Sequence, residues 1–290
     1  MSEGRKESSP VFEPVNKAHA IVEMVLFCHF EPEFDESAIS SLMELEDDLK
    51  EELPRFRQVH GNYTEIDLSG QGLKSYQTRL VGIEMRKAGS EGSAEWLLRT
   101  DPFSVSVHCL DYTRWEEVGA KALDFLRRAL HKIGATQSTP TALGLKYIDR
   151  FSYGGTEDRY DPALLFRRDT TLLHQRAFTS GMRWHCHSGW FEPLDNLPEE
   201  LECLNQVNID AAFLTVSGAR RHMTTIDHNA VVKGRHQENL ADFLASNEDE
   251  HTLLHRLTET LHLVNKRVLM DLLTDEMAMR IHLAHAGTKV

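Results

Sequence analysis

Along residues 20–30 (AIVEMVLFCHF), Val22, Met24, Leu26, Cys28 and Phe30 fall on one side of an extended chain. Ile21, Val25 and Phe27 fall on the other, with Glu23 and His29 interspersed. A run this rich in β-branched and aromatic residues, nearly apolar on both faces, predicts a central strand covered on both sides. The period then changes. Ala38, Leu42, Leu45, Leu49 and Leu53 recur at helical spacing, with Ser37 as the cap and Pro54 as the stop. Strands are predicted over 63–68 and 74–87, joined through Gly70-Gln71-Gly72, and over 96–100 and 103–110, around an Asp101-Pro102 turn; 88–93 (AGSEGS) is a loop. Thr113 and Glu116 have capping-box spacing ahead of the stripe Trp115, Val118, Ala122, Phe125, Ala129 and Ile133, and Gly134 ends that helix.

The order then starts again. Residues 143–153 resemble the opening strand, 162–168 form a brief helix, and the stretch to 180 is irregular. Over 182–191, Met182, Trp184, Cys186 and Trp190 alternate with Arg183, His185 and His187. After a loop at 193–202, runs 203–214 and 221–232 make a hairpin across Ser217-Gly218. A helix from about 237, interrupted near Asn247-Glu248-Asp249, carries Leu254, Leu257, Leu261, Val264 and Val268 at helical spacing. The pattern predicts an α+β fold: a tandem duplication of a β-α-β-β-β-α unit, giving two mostly antiparallel sheets each backed by a long helix. The domains expected are a loose N-terminal arm at 1–15, a first unit at 16–136 and a second at 141–290.

Composition changes this picture little. A net charge of −13 over 290 residues argues against broad nucleic-acid binding, which needs a basic surface. No apolar run reaches the roughly 18 residues that span a bilayer, and 1–15 has no apolar signal core. The four cysteines, Cys28, Cys109, Cys186 and Cys203, form no C-x-x-C, as expected of small buried side chains in a reducing cytoplasm.

The hairpin carries the most informative polar chemistry. With its turn centred on Ser217-Gly218, Ile209 faces Ile226, Ala211 faces Thr224 and Phe213 faces His222. On the opposite side Asp210 faces Thr225, Asn208 faces Asp227 and Gln206 faces Asn229, a polar ladder on one sheet face. The bland reading is a face wetted by solvent; the sharper one is a groove for a polar ligand or partner. His185 and His187 share a side of their strand, and with Asp210 or Asp227 they are the metal candidates, although two ligands do not make a site. His222, His228 and His236 lie downstream. His251, His255, Glu259 and His262 form a stripe placed at the flank of the last helix or in solvent. Glu44, Asp47 and Asp48 belong to an acidic helix face that reads as solvated or, more sharply, as a docking surface. Arg150, Arg159, Arg167, Arg168, Arg176 and Arg183 read as paired internally with Asp149, Asp158, Asp161 and Asp169. No phosphate-loop, dinucleotide or nucleophile-elbow motif is present, and no catalytic residue or cofactor is assigned.

HAIVEMVLFCHFEP (19–32) resembles the N-terminal hallmark of a sporadically distributed bacterial family of uncharacterised proteins, which begin N-P-P-hydrophobic-x-E-hydrophobic-hydrophobic. LRTDPFSVSV with DYTRWEEV, KYIDRF (146–151) and LLTDEM (272–277) are similar as well. Asn16-Lys17-Ala18-His19-Ala20 stands where the family has N-P-P, so the hallmark is incomplete. The family is associated with mobile elements, toxin–antitoxin loci and phage-defence neighbourhoods. The resemblance implies an accessory, antitoxin-like or partner-binding role and transfers no catalytic residue. The leading expectation is thus a non-enzymatic cytoplasmic protein that recognises a protein partner through Gln206, Asn208, Asp210, Thr225, Asp227 and Asn229, and through the acidic helix. The alternative is a metal-dependent or small-ligand enzyme built on His185, His187, Asp210 and Asp227. Homo-oligomeric assembly through sheet edges is the third option.

Overall fold

The computed structural model describes residues 11–16, 18–67, 72–89, 94–134, 136–194, 197–216, 218–235, 240–244 and 250–283. Residues 1–10 of the expected arm, Gly70-Gln71, most of the AGSEGS loop, Ser217, His236, the side chain of His251 and the helix interruption at 247–249 lie outside the described residues.

The strands are β1 (Phe12–Pro14), β2 (Ile21–Glu31), β3 (Arg55–Asp67), β4 (Gly72–Ala88), β5 (Ala94–Asp101), β6 (Ser104–Cys109), β7 (Thr139–Tyr153), β8 (Trp184–Glu192), β9 (Leu201–Val216) and β10 (Ala219–Gly234). The helices are α1 (Glu36–Met43), α2 (Leu45–Leu49), α3 (Trp115–Ile133), α4 (Leu240–Leu244), α5 (Glu250–Leu272) and α6 (Asp275–Arg280). All strands join one antiparallel 10-stranded sheet in the order β3-β4-β5-β6-β2-β7-β10-β9-β8, with β1 added beside β7.

This corrects the expectation of two sheets. The opening strands of the two halves, β2 and β7, pair with each other from Ile21↔Asp149 to Glu31↔Thr139, so the sheet is continuous through the middle of the chain. The physical reason lies in the pattern already noted. A strand as apolar as β2 belongs inside a sheet, and it lies between β6 and β7, although the helices cover only one of its faces and not both as the pattern predicted. Residues 12–14 are likewise no loose arm: Phe12 is buried against Tyr153, at a ring distance of 5.0 Å, and its carbonyl accepts from Arg280.

The first helical run divides at Glu44 into α1 and α2, yet Ala38, Leu42, Leu45, Leu49 and Leu53 are all buried as the spacing required. Its cap is Asp35, whose side chain accepts from the Ala38 N–H at 2.8 Å, and not Ser37. No capping box forms at α3, where Thr113 donates to Glu117 and Arg114 occupies the cap position.

Among the described residues the helices pack on one face of the sheet. The buried side chains there form two clusters, one reaching from α1 and β4 through β2 to Tyr147 and Val264, the other from Phe151 and Ile226 to Val268 and Met277. All four cysteines are free thiols; burial raises Cys109 to about 11 and Cys203 to about 12, which makes them poor nucleophiles. No helix among the described residues is long and apolar enough to cross a membrane.

Candidate functional site

The expected polar ladder is present on the uncovered sheet face, in the register read from the turn: Asp210↔Thr225, Asn208↔Asp227 and Gln206↔Asn229. Neighbouring strands extend it. Lys146 pairs with Asp227 at 2.7 Å, Arg150 donates to Thr225 at 3.3 Å, and Asn229 donates to Gln206 at 3.3 Å. β8 is adjacent to β9, so His185 lies opposite Asp210 and His187 opposite Asn208, both exposed. The described residues nonetheless contain no group of three or more His, Cys, Asp or Glu side chains placed to hold a metal ion. On the acidic helices, Glu44 and Asp48 take Lys132 of α3 at 3.0 and 2.9 Å, and Asp47 lies 3.8 Å from Lys50. Part of that acidic run therefore anchors α2 to α3.

Further along the uncovered face, His108 contacts Glu23 through Nδ1 at 2.7 Å and Ser106 through Nε2 at 3.0 Å. The order is that of a nucleophile, a base and an orienting carboxylate. The backbone here is committed to sheet ladders on both sides, leaving no pair of free N–H groups to stabilise an oxyanion. Ser106 also reaches the Arg99 carbonyl at 3.2 Å, and the array is a structural network.

The opposite face holds the feature that the sequence did not bring forward. On β7 the covered positions run Leu143, Leu145, Tyr147, Asp149, Phe151, Tyr153; on β10 they run Ile226, His228, Ala230, Val232. Asp149 and His228 interrupt these apolar stripes at the boundary between the two core clusters, and Asn265 does the same on α5 between Val264 and Val268. All three are buried, at 4%, 4% and 5% exposure. They line one pocket of about 440 Å³ between the sheet, the start of α3 and α5, together with Ile21, Tyr112, Trp115 and Leu269. The register of β2 shifts at Val22, directly beside Asp149, which is where strand irregularities re-aim side chains.

The electrostatics follow from burial. Asp149 Oδ1 has no hydrogen-bond partner among the described residues, and desolvation raises its carboxyl from 3.8 to about 7. Desolvation lowers His228 to about 3, against a smaller upward pull from Asn265, so the ring is neutral. His262 also falls to about 4, through burial and then Lys266. It stacks on Trp115 at a ring distance of 4.2 Å and meets the Tyr147 hydroxyl through Nδ1 at 2.9 Å. Trp115 Nε1 donates to Glu259 at 2.7 Å.

One earlier reading needs correcting here and another is narrowed. Of the helix stripe placed at the flank or in solvent, Glu259 and His262 take the flank, half-buried between α3 and α5, and His255 takes the solvent. Asp149 pairs with no arginine among the described residues, because strand alternation points it away from Arg150. Arg168–Asp161 at 3.2 Å and Arg167–Asp169 at 3.5 Å do pair as expected. The signal that marks Asp149 was available in the sequence: it shares its parity with five aromatic and aliphatic neighbours on one strand.

No family model matches the chain, and no curated protein does. Among solved structures, it is similar to that of S. pombe Pct1 RNA triphosphatase, at 10% identity over 87% of this chain and 85% of that one, with a TM-score of 0.14. A likeness at that level bears on neither fold nor function.

Proposed function

We propose that this chain is a small-molecule-binding protein whose ligand enters the pocket between the sheet, α3 and α5. One observation carries the reading. Asp149, His228 and Asn265 come from three different elements, interrupt three apolar stripes at one level, and line one pocket. Burying polar side chains in an apolar core is costly, so three of them set into apolar walls at one level favour a site built for a ligand with polar groups. The volume suits an organic molecule of modest size, and apolar walls with a few convergent polar groups are the usual make-up of such sites.

Ligand-observed NMR with a fragment library tests this on the full chain. Hits are expected that disappear in Leu269→Trp, which fills the pocket, and weaken in Ala18→Trp, which crowds its exposed rim. A hit list unaffected by either substitution would overturn the reading.

A second reading rests on a separate observation: the ladder face is uncovered, and Asp210, His185 and His187 stand exposed along it. There a protein partner of a defence or toxin–antitoxin system would dock, with no catalysis by this chain. Retained partner capture by Asp210→Ala together with His187→Ala would sink that version.

A further inference from the structure

The sheet has two edges, and they are protected unequally. The edge at β3 carries Arg55 and Arg57, both exposed, and its pairing with β4 is broken twice, at Val59/His60 and at Glu65/Ile66. Charges and register breaks of this kind keep sheet edges from pairing with other chains. The edge at β8 has neither. Its sequence, WHCHSGWFE, holds no Lys, Arg or Pro, and its register with β9 is unbroken from Trp184↔Ala211 to Glu192↔Cys203. Apart from β9, the backbone of these nine residues meets no backbone partner among the described residues.

This edge is also held in place. Trp184 Nε1 donates to the Tyr160 hydroxyl at 3.2 Å and Ser188 Oγ to the Leu172 carbonyl at 3.1 Å, so the covered side of β8 is fastened to the loop beneath it. A strand already fixed in extended form loses little further freedom on pairing. On its other side Phe191 is 54% exposed, and the half-buried Trp190 stands next to it in the chain. Aromatic residues with few charges are the composition of a protein interface core. A net charge of −13 makes copies of the chain repel one another, but β8 has a single carboxylate, Glu192, and Arg267 holds it. Turned on itself about Ser188, the strand overlaps along its whole length. Phe191 of one protomer then lies opposite His185 of its partner, and Trp190 opposite Cys186, large against small. Glu192 lies opposite Trp184, so no carboxylate faces another.

We propose that the protein is a two-fold symmetric homodimer joined through β8, whose outward backbone groups pair antiparallel with the same strand of a second copy. The two sheets then run on as one, with the polar ladders of both copies on the same uncovered side. No residue of β8 lines the pocket, so this inference stands apart from the ligand reading.

Sedimentation velocity on the full chain, with hydrogen exchange of the 184–192 amides, forms the test. The native protein should sediment as a dimer at about 10 μM, and those amides should exchange more slowly as the concentration rises. His187→Lys combined with Phe191→Ser adds a charge and removes a ring at exposed positions of the edge, and should raise the dimer dissociation constant by about tenfold or more. The same charge placed on the other edge, in Gln58→Lys, should leave the dimer unchanged. Circular dichroism serves as the folding control, and Phe191→Ser alone, expected to weaken the dimer in the same direction, takes the place of a double variant that did not fold. A native chain still monomeric at about 100 μM would overturn the proposal. So would a dimer indifferent to the β8 substitutions, one dissociated by Gln58→Lys, or one in which exchange over 184–192 did not change with concentration.

Discussion

Asp149 shows how one buried side chain sets a measurable property of the whole chain. Burial holds its carboxyl at about 7 against an ordinary 3.8, so between those values the folded chain keeps a proton that the unfolded chain has lost. Its contribution to stability is complete below 3.8 and is lost as pH rises through 7. Asp149→Asn should therefore be more stable than the native protein at pH 8, by up to about 4 kcal/mol, and little different at pH 4. His228 and His262 act in the other direction. They are depressed from 6.5 to about 3 and about 4, so the stability they contribute is complete above 6.5 and lost as pH falls through those values. The acid limb should survive in Asp149→Asn while the alkaline loss disappears. Urea unfolding at pH 4, 6 and 8 reads both limbs, and an unchanged alkaline slope in the variant would rule out the assignment to Asp149. The residue escaped notice in the sequence because an aspartate next to an arginine reads as half of an ion pair. Only the two-residue period of its strand separates it from Arg150, and that period mattered more than adjacency.

Individual elements were far more legible than their assembly. The hairpin of β9 and β10 has the register that its turn implied, because a short turn between alternating strands leaves little freedom for slippage. The stripes of α3 and α5 are buried at the expected positions, since helical spacing reports directly on which side faces a core. Helix starts were the weak point. Asp35 and Ser37 are both of the cap-forming type and stand two residues apart, so the spacing of the apolar positions alone does not choose between them. The structure makes the difference testable. Asp35→Ala should cost about 1 kcal/mol by losing the bond to the Ala38 N–H, whereas Ser37→Ala should be close to neutral. Equal losses in chemical denaturation would contradict the observed cap.

For the molecule as a whole, the decisive event is the pairing of β2 with β7. Nothing in either strand names the other: each is apolar along its covered face, and each could equally close a sheet within its own half. Their joining makes one sheet whose buried clusters draw on both halves, with α5 packing on β7 and β10 and also reaching α3. Unfolding should therefore be a single cooperative transition, with coincident fluorescence and circular-dichroism curves. Fragments 11–136 and 137–283 should be insoluble apart and recover a soluble complex when expressed together. Two fragments that were each monomeric and folded would show that the halves are independent.

During synthesis, the first half of this sheet is complete before its central neighbour exists. Residues 21–31 leave the ribosome long before 139–153, and in that interval they present a row of bare amide and carbonyl groups on an apolar ribbon. The nascent chain is thus most vulnerable to pairing with a copy of itself at the very strand that later sits in the middle of the finished sheet.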